Sequence, residues 1–257
     1  MTQNSLINTS EMIKVVPGIP AEFEDYIVSR RIRIISDFPG FLGDELRLLD
    51  AGCGSGCSLL QLCNFFKDCH GFDVNEDYIQ RLLEEVAIRN IANCSASTGD
   101  LCNLEFDSES VDRLISFEVI EHLPDENAGV KSMYRVLKPG GLAAFSVPNK
   151  WWVFETHGAY LPLLRWDRVP FFSWLPKPIH ERYAKARIYT KQRIVKLLAS
   201  VGFKVLKVSY VTAPMDRLTI KPLQKLVKST VLRNDTTNIP MFSTAIMVIA
   251  AKENSKA

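Results

Sequence analysis

Leu48-Leu49-Asp50-Ala51-Gly52-Cys53-Gly54-Ser55-Gly56 is an apolar run that empties into three alternating glycines. A strand, a glycine loop and a helix start form a crevice of the nucleotide-binding kind at the carboxyl edge of a sheet. Glycine lets backbone come close to a ligand where a side chain would collide. The dinucleotide fingerprint G-x-G-x-x-G fails here, because Cys57 stands where its third glycine belongs. A pyrophosphate needs the helix N-terminus free. Asp50, two residues ahead of Gly52, instead suits a ligand with a positively charged amino-acid end. Asp73 ends the next apolar run, 21 positions after Gly52, and can accept both hydroxyls of a ribose.

Outward from the loop, strands and helices alternate. Apolar runs at 46–51, 69–74, 93–98, 112–118 and 142–147 read as strands. Helical periodicity covers 21–38, 55–66, 75–90 and 127–137, and the Lys138-Pro139-Gly140-Gly141 turn stops the last of these. A further helix at 190–200 precedes strands at 203–211 and 242–251. Such alternation argues for an α/β fold, a doubly wound sheet of about seven strands covered on both faces, with the last strand antiparallel at an edge. Residues 1–257 read as one domain with an N-terminal helical segment at 1–40. Insertions at 151–187 and 212–240 interrupt the alternation. The first holds all four tryptophans, and the second a basic amphipathic stretch, IKPLQKLVKSTVL. Together they are expected to form an aromatic-rich cap over a substrate.

Five motifs in order resemble class I S-adenosylmethionine-dependent methyltransferases, a Rossmann-like family. LLDAGCGSG is similar to the family's first motif, GFDVNEDYI to the segment with the ribose-binding acid, and TGDLCNLEF to the one contacting adenine. DRLISFEVIEHLPD and LKPGG complete the resemblance over about residues 45–150, with a weaker likeness at 188–203. It implies S-adenosylmethionine as cofactor, held by Asp50, Gly52, Cys53, Gly54, Gly56, Asp73, Val74, Asp100, Leu101, Phe117 and Glu118. Each acid also has a plain structural use: Asp73 as a helix cap and Asp100 as a turn residue.

Methyl transfer is an in-line displacement at carbon, so the enzyme must align a nucleophile and exclude water. His122, in Glu118-Val119-Ile120-Glu121-His122, is the candidate general base, with Glu121 beside it. Packing beneath the cofactor is its other reading. The Glu-x-x-Glu-His string also resembles the metal-binding segment of small-RNA terminal 2′-O-methyltransferases, with His157 or His180 downstream. The same string is common in the small-molecule, ubiquinone-biosynthesis O-methyltransferase-like group, so no metal is assigned. The likeness to that group extends to Pro148-Asn149-Lys150 and Tyr189-Thr190 and points to a small-molecule or lipid-like acceptor, with a hydroxyl as the expected methyl-accepting group. Trp151, Trp152, His157, His180, Arg182 and Tyr183 are candidate substrate contacts by position. A metal-dependent RNA methyltransferase and a non-catalytic S-adenosylmethionine-binding protein are the alternatives.

Composition narrows the classes. The 257 residues are 47% hydrophobic and 23% charged with net charge +2, which excludes whole-chain disorder. Six cysteines without a Cys-x-x-Cys pair fit neither a disulfide framework nor a usual zinc pattern. Neither a signal peptide nor a membrane span is legible, so a reducing, cytoplasmic setting is expected. The net charge hides an asymmetry of −10 over residues 1–150 against +12 over 177–257. That basic third and the aromatic cap fit peripheral contact with a lipid surface; nucleic acid is not expected as a partner.

Overall fold

The structure is a computed structural model that describes residues 25–161, 169–214, 222, 225, 229, 230 and 232–254. Most of the basic stretch expected in the second insertion, and the start of the N-terminal segment, lie outside the described residues. The leading helix α1 spans Tyr26–Ser36. The glycine loop then follows β1 (Gly43–Ala51) and leads into α2 (Cys57–Leu62). Next come β2 (Phe66–Asp73), α3 (Glu76–Ile88), β3 (Cys94–Thr98), β4 (Val111–Phe117), α4 (Glu126–Val136) and β5 (Leu137–Pro148). After the first insertion, which carries α5 (Lys177–Tyr183), the chain continues with α6 (Lys191–Val201) and β6 (Lys204–Thr212). The two-residue β7 (Thr236–Thr237) and β8 (Ser243–Ala251) close it.

Local chemistry fixes several boundaries. The Asn75 side chain accepts from the N–H groups of Asp77 and Tyr78, and Asp125 does the same for Asn127 and Ala128. Thr190 caps α6 by accepting from Arg193 N–H, and Gly202 ends it at φ +116°. These are ordinary N-caps and a glycine stop. The helix expected over 55–66 is shorter than its apolar content suggests. It gives way to a 3-10 turn at Cys63–Phe65, and Phe66 already belongs to β2. Asn93 ties that corner by donating to the carbonyls of Cys63 and Phe66, at 2.9 and 2.8 Å.

The strand order is β3-β2-β1-β4-β5-β8-β6-β7. The β3 to β5 half is parallel, while β8 runs antiparallel to both β5 and β6. The expected antiparallel strand is therefore not at the edge. Val248 faces Phe145 on one side and Val208 on the other. Its sequence explains the place: STAIMVIAA is apolar without alternation, the pattern of a strand covered on both faces. The Lys138–Gly141 turn also differs from expectation. β5 begins at Leu137 and runs through it, with a register break opposite Val111–Arg113.

Adjacent residues serve opposite faces of the sheet, as strand geometry requires. Leu49, Leu114, Phe145 and Val248 belong to one core layer, Leu48, Ile115, Ala144 and Ile249 to the other. The first insertion carries its own small core of Ala159, Phe172 and Ala184, flanked by Leu161, Val169, Leu175 and Tyr183. Among the described residues no helix is long and apolar enough to cross a membrane. The six cysteines are unbridged.

Candidate functional site

The glycine loop is held against the end of β2. Gly52 and Cys53 both donate their N–H to the Phe72 carbonyl, at 2.7 and 3.1 Å. Gly54 N–H donates to Asp73 Oδ2 at 2.9 Å, and Asn75 N–H to Asp73 Oδ1 at 3.0 Å. Gly52 sits at φ +89°, and a Cβ there would overlap the Val119 side chain. Both facts demand glycine at that position. Asp50 lies beneath the loop, buried, with no hydrogen-bond partner for Oδ2. Burial, and then the neighbouring Asp73 charge, push its carboxyl well above the ordinary range. Burial pushes the Cys53 thiol up as well, which makes it inert as a nucleophile. Val74 is exposed and opens a groove with Asn75, Glu76 and Asp77 beside Asp73.

Asp100 accepts the Cys102 N–H at 2.8 Å and caps a 3-10 turn whose Leu101 is buried. The turn stands at the same carboxyl edge, after β3.

The loop after β4 carries the densest chemistry. Phe117 ends the strand, and Glu118 follows in the left-handed region at φ +58°. That turn aims its carboxylate back across the sheet edge. Oε1 accepts from Ser146 Oγ at 2.6 Å and lies 3.0 Å from the Arg31 guanidinium on α1. Oε2 lies 3.7 Å from His157 Nε2. Glu121 follows one 3-10 turn later, fully buried. Among the described residues neither of its oxygens accepts a hydrogen bond, although Oε1 is 3.3 Å from His157 Nε2. Burial, then the Glu118 charge, hold the Glu121 carboxyl well above its usual range. The His122 and His157 rings meet edge to face with centroids 5.0 Å apart.

His157 reaches this cluster from the first insertion, and a buried polar group fixes it there. Glu155 Oε1 accepts the N–H groups of Thr156 and His157, at 3.0 and 3.1 Å. Its Oε2 takes His180 Nε2 at 2.8 Å and Ser173 Oγ at 3.2 Å. Burial pushes the Glu155 carboxyl up, but the His180 bond and charge outweigh it and leave it below the ordinary range. Thr156 Oγ1 meets His157 Nδ1 at 2.9 Å. Burial lowers the His157 imidazole's pKa, against the pull of Glu118 and Glu155, so the ring is neutral at pH 7.

The structure thus brings together Glu118, Glu121, His122 and His157 on one side, and Asp50, the glycine loop and Asp73 on the other. His180 is enclosed behind Glu155 and does not join the cluster. Trp151 is exposed and packs edge-on to Trp174, while half-buried Trp152 meets Phe154. Arg182 is exposed and lies over the Tyr183 ring, itself part of the insertion's core. Three contributors escaped the sequence reading: Arg31, Ser146 and Glu155. Arg31 had a signal, since it interrupts the apolar stripe Val28, Ile34, Ile35 of α1. Ser146 and Glu155 had none, being set by contacts 28 and 25 residues away.

With that geometry established, comparison with known proteins is informative. Residues 49–145 match the family model described as a methyltransferase domain. Over 161 residues the chain is 29% identical to a "Probable S-adenosylmethionine-dependent methyltransferase" of Mycolicibacterium smegmatis, covering 62% of this chain and 52% of that protein. Over 142 residues it is 29% identical to a ubiquinone biosynthesis O-methyltransferase of Bartonella tribocorum, covering 54% and 53%. The chain thus spans about half the length of these relatives. A crystal structure of an S-adenosylmethionine-dependent methyltransferase from Mesorhizobium loti superposes with TM-score 0.61 at 17% identity, covering 90% of this chain and all of that one.

Proposed function

We propose that this chain transfers a methyl group from S-adenosylmethionine to a small-molecule or lipid-like acceptor, at a hydroxyl oxygen; the match of residues 49–145 to a methyltransferase-domain model and the superposition of the fold on a methyltransferase structure support the reading. The observation that carries the reading is the glycine loop clamped to Asp73 and Phe72 over a buried Asp50. That arrangement supports assigning Asp73 to a ribose and Asp50 to a charged amino-acid end. Among the described residues Asp73 accepts from backbone N–H groups, and each of its oxygens keeps lone pairs for ribose hydroxyls. Asp100 and Leu101 would border the adenine.

In the reaction the acceptor oxygen forms a bond to the methyl carbon as the carbon–sulfur bond breaks. The bonding pair goes to sulfur and cancels the sulfonium charge. The hydroxyl proton must leave, and Glu121 and His122, in the loop after β4, are the candidate groups to receive it. The first insertion would cover the acceptor with Trp151 and Trp152 and keep water out. The ubiquinone-biosynthesis relative supports a ring-bearing hydroxyl acceptor. Exposed Trp151, Phe154, Tyr160 and Phe171 support contact with a lipid surface that delivers it.

Calorimetric titration with S-adenosylhomocysteine, S-adenosylmethionine and NADH tests the reading. Micromolar binding of both adenosyl ligands without NADH binding is expected. NADH binding, or none of the three, would remove the cofactor assignment. Adenosyl binding without turnover on any hydroxyl acceptor would leave a binding protein.

A further inference from the structure

Two thiols that methyl transfer does not use stand opposite one another in the sheet. Cys69 on β2 and Cys94 on β3 are register partners, and both side chains enter the same core layer. Neighbouring strands lie about 4.8 Å apart, inside the roughly 4.4–6.8 Å between Cα atoms that a disulfide spans. The register is pinned at this corner. Cys69 N–H donates to the Asn93 carbonyl at 2.8 Å, and the Asn93 side chain holds the carbonyls of Cys63 and Phe66.

The two thiols differ in access. Among the described residues β3 is an outermost strand of the sheet, and its Cys94 is half-buried, while Cys69 has no exposure. The bond from the Cys69 thiol draws the Cys94 thiol below its ordinary pKa, against burial, and the same bond pushes Cys69 up. An accessible, acidified thiol beside a second thiol is the arrangement found in redox-sensing cysteines.

We propose that Cys94 and Cys69 are a reversible oxidation site for hydroperoxides, closing to a disulfide between β3 and β2. The Cys94 thiolate attacks one peroxide oxygen, the O–O bond breaks, and the other oxygen leaves and takes up the proton that Cys94 released. Cys94 is then a sulfenic acid. The Cys69 sulfur attacks the Cys94 sulfur, the S–O bond breaks, and the hydroxyl leaves as water with the Cys69 proton. Two thiols are oxidised as one hydrogen peroxide is reduced to two waters, and a dithiol reductant restores both thiols. Cys69 thereby keeps Cys94 from passing on to sulfinic acid, which is not readily reversed. The pair lies toward the amino ends of β2 and β3, whereas Asp73 ends β2 and Asp100 follows β3, so the site stands apart from the methyl-transfer reading.

The test treats the full chain with hydrogen peroxide, blocks the remaining thiols by alkylation and maps linked peptides by mass spectrometry. Loss of two of the six thiols is expected, in one Cys69–Cys94 link that dithiothreitol reverses. Half-buried Cys102, whose thiol is pushed up by burial and then by the Asp100 charge, should stay reduced at the same dose. Cys69→Ser should leave Cys94 as a sulfenic acid that dimedone traps, and as sulfinic acid at doses from which the parent recovers fully. Cys94→Ser should abolish the loss of both thiols. Where a variant fails to fold, the linked peptides of the parent decide. A link through Cys63, first oxidation at Cys102, or Cys94 oxidised in the parent without Cys69 overturns the site.

Discussion

Asp73 shows how one side chain can serve two tasks at the residue scale. Its two oxygens hold Gly54 and Asn75 backbone in place, so it shapes the loop and stands next in sequence to the groove lined by Val74, Asn75, Glu76 and Asp77. Asp73→Asn keeps the size and one acceptor oxygen but swaps the other for a donor, which meets a backbone N–H head-on. S-adenosylhomocysteine affinity should fall at least tenfold, about 1.4 kcal/mol. Calorimetry on a variant of unchanged far-ultraviolet spectrum decides it; equal affinity would take Asp73 out of the site. Residues of this kind were legible because their spacing from the glycines is local to one β-α-β unit. Glu118 was legible as a site residue but not in its posture. Its carboxylate is held by Arg31, Ser146 and His157, which come from three distant segments.

At the scale of elements, the end of the sheet opposite the site is tied by Asp112 at the start of β4. Oδ2 accepts Arg47 N–H of β1 at 3.0 Å, and Oδ1 accepts Lys138 Nζ of β5 at 2.8 Å. One carboxylate thus joins three strands. Burial pushes its carboxyl up, but the Lys138 bond, the Arg47 N–H and nearby charges outweigh it and hold it below the ordinary range. A carboxylate with a depressed folded pKa adds stability above its unfolded pKa and loses it as pH falls through the folded value. Asp112→Asn should therefore lower Tm by roughly 2–4 °C at pH 7, for a loss near 1 kcal/mol. The gap to the parent should close as pH falls through the lowered folded pKa of Asp112, below which both carry a neutral group. A gap of the same size in acid, by scanning calorimetry, would mean that charge is not what Asp112 contributes. The sequence predicted the strands themselves well, because apolar runs and caps are local signals. It misplaced the end of α2 and the start of β5, where Asn93 and the β4 register override helix and turn propensity. The unalternating apolar run of β8 is the pattern of an interior strand, whereas its late place in the chain suggested an edge.

For the molecule as a whole, β8 is the strand that makes the two halves of the sheet one cooperative unit. Ile246 is fully buried and pairs with Val147 and Tyr210 on its two flanks. Ile246→Ala should cost about 2–5 kcal/mol, which is roughly 5–15 °C of Tm at this chain length. The loss should appear as one shifted transition in calorimetry, with S-adenosylhomocysteine affinity unchanged well below Tm. Two separate transitions would show that β6 and its neighbours melt independently of the cofactor-binding half. Charge follows another division. The acidic stretch 1–150 supplies the loops proposed to hold the cofactor, while the basic 177–257 holds the later helices and strands. A lipid surface bearing anionic headgroups would meet the second of these.

The interior place of β8 also imposes a schedule on synthesis. β6 ends at Thr212, yet its sheet partner toward β5 is complete only at Ala251, 39 residues later. At about 5–20 residues per second, that is roughly 2–8 seconds of translation. Throughout that interval β5 and β6 each carry an unpaired edge, the feature that recruits foreign strands. The nascent chain is therefore most exposed to aggregation between the emergence of β6 and that of β8, and the ribosome's pace over the intervening codons becomes a determinant of yield.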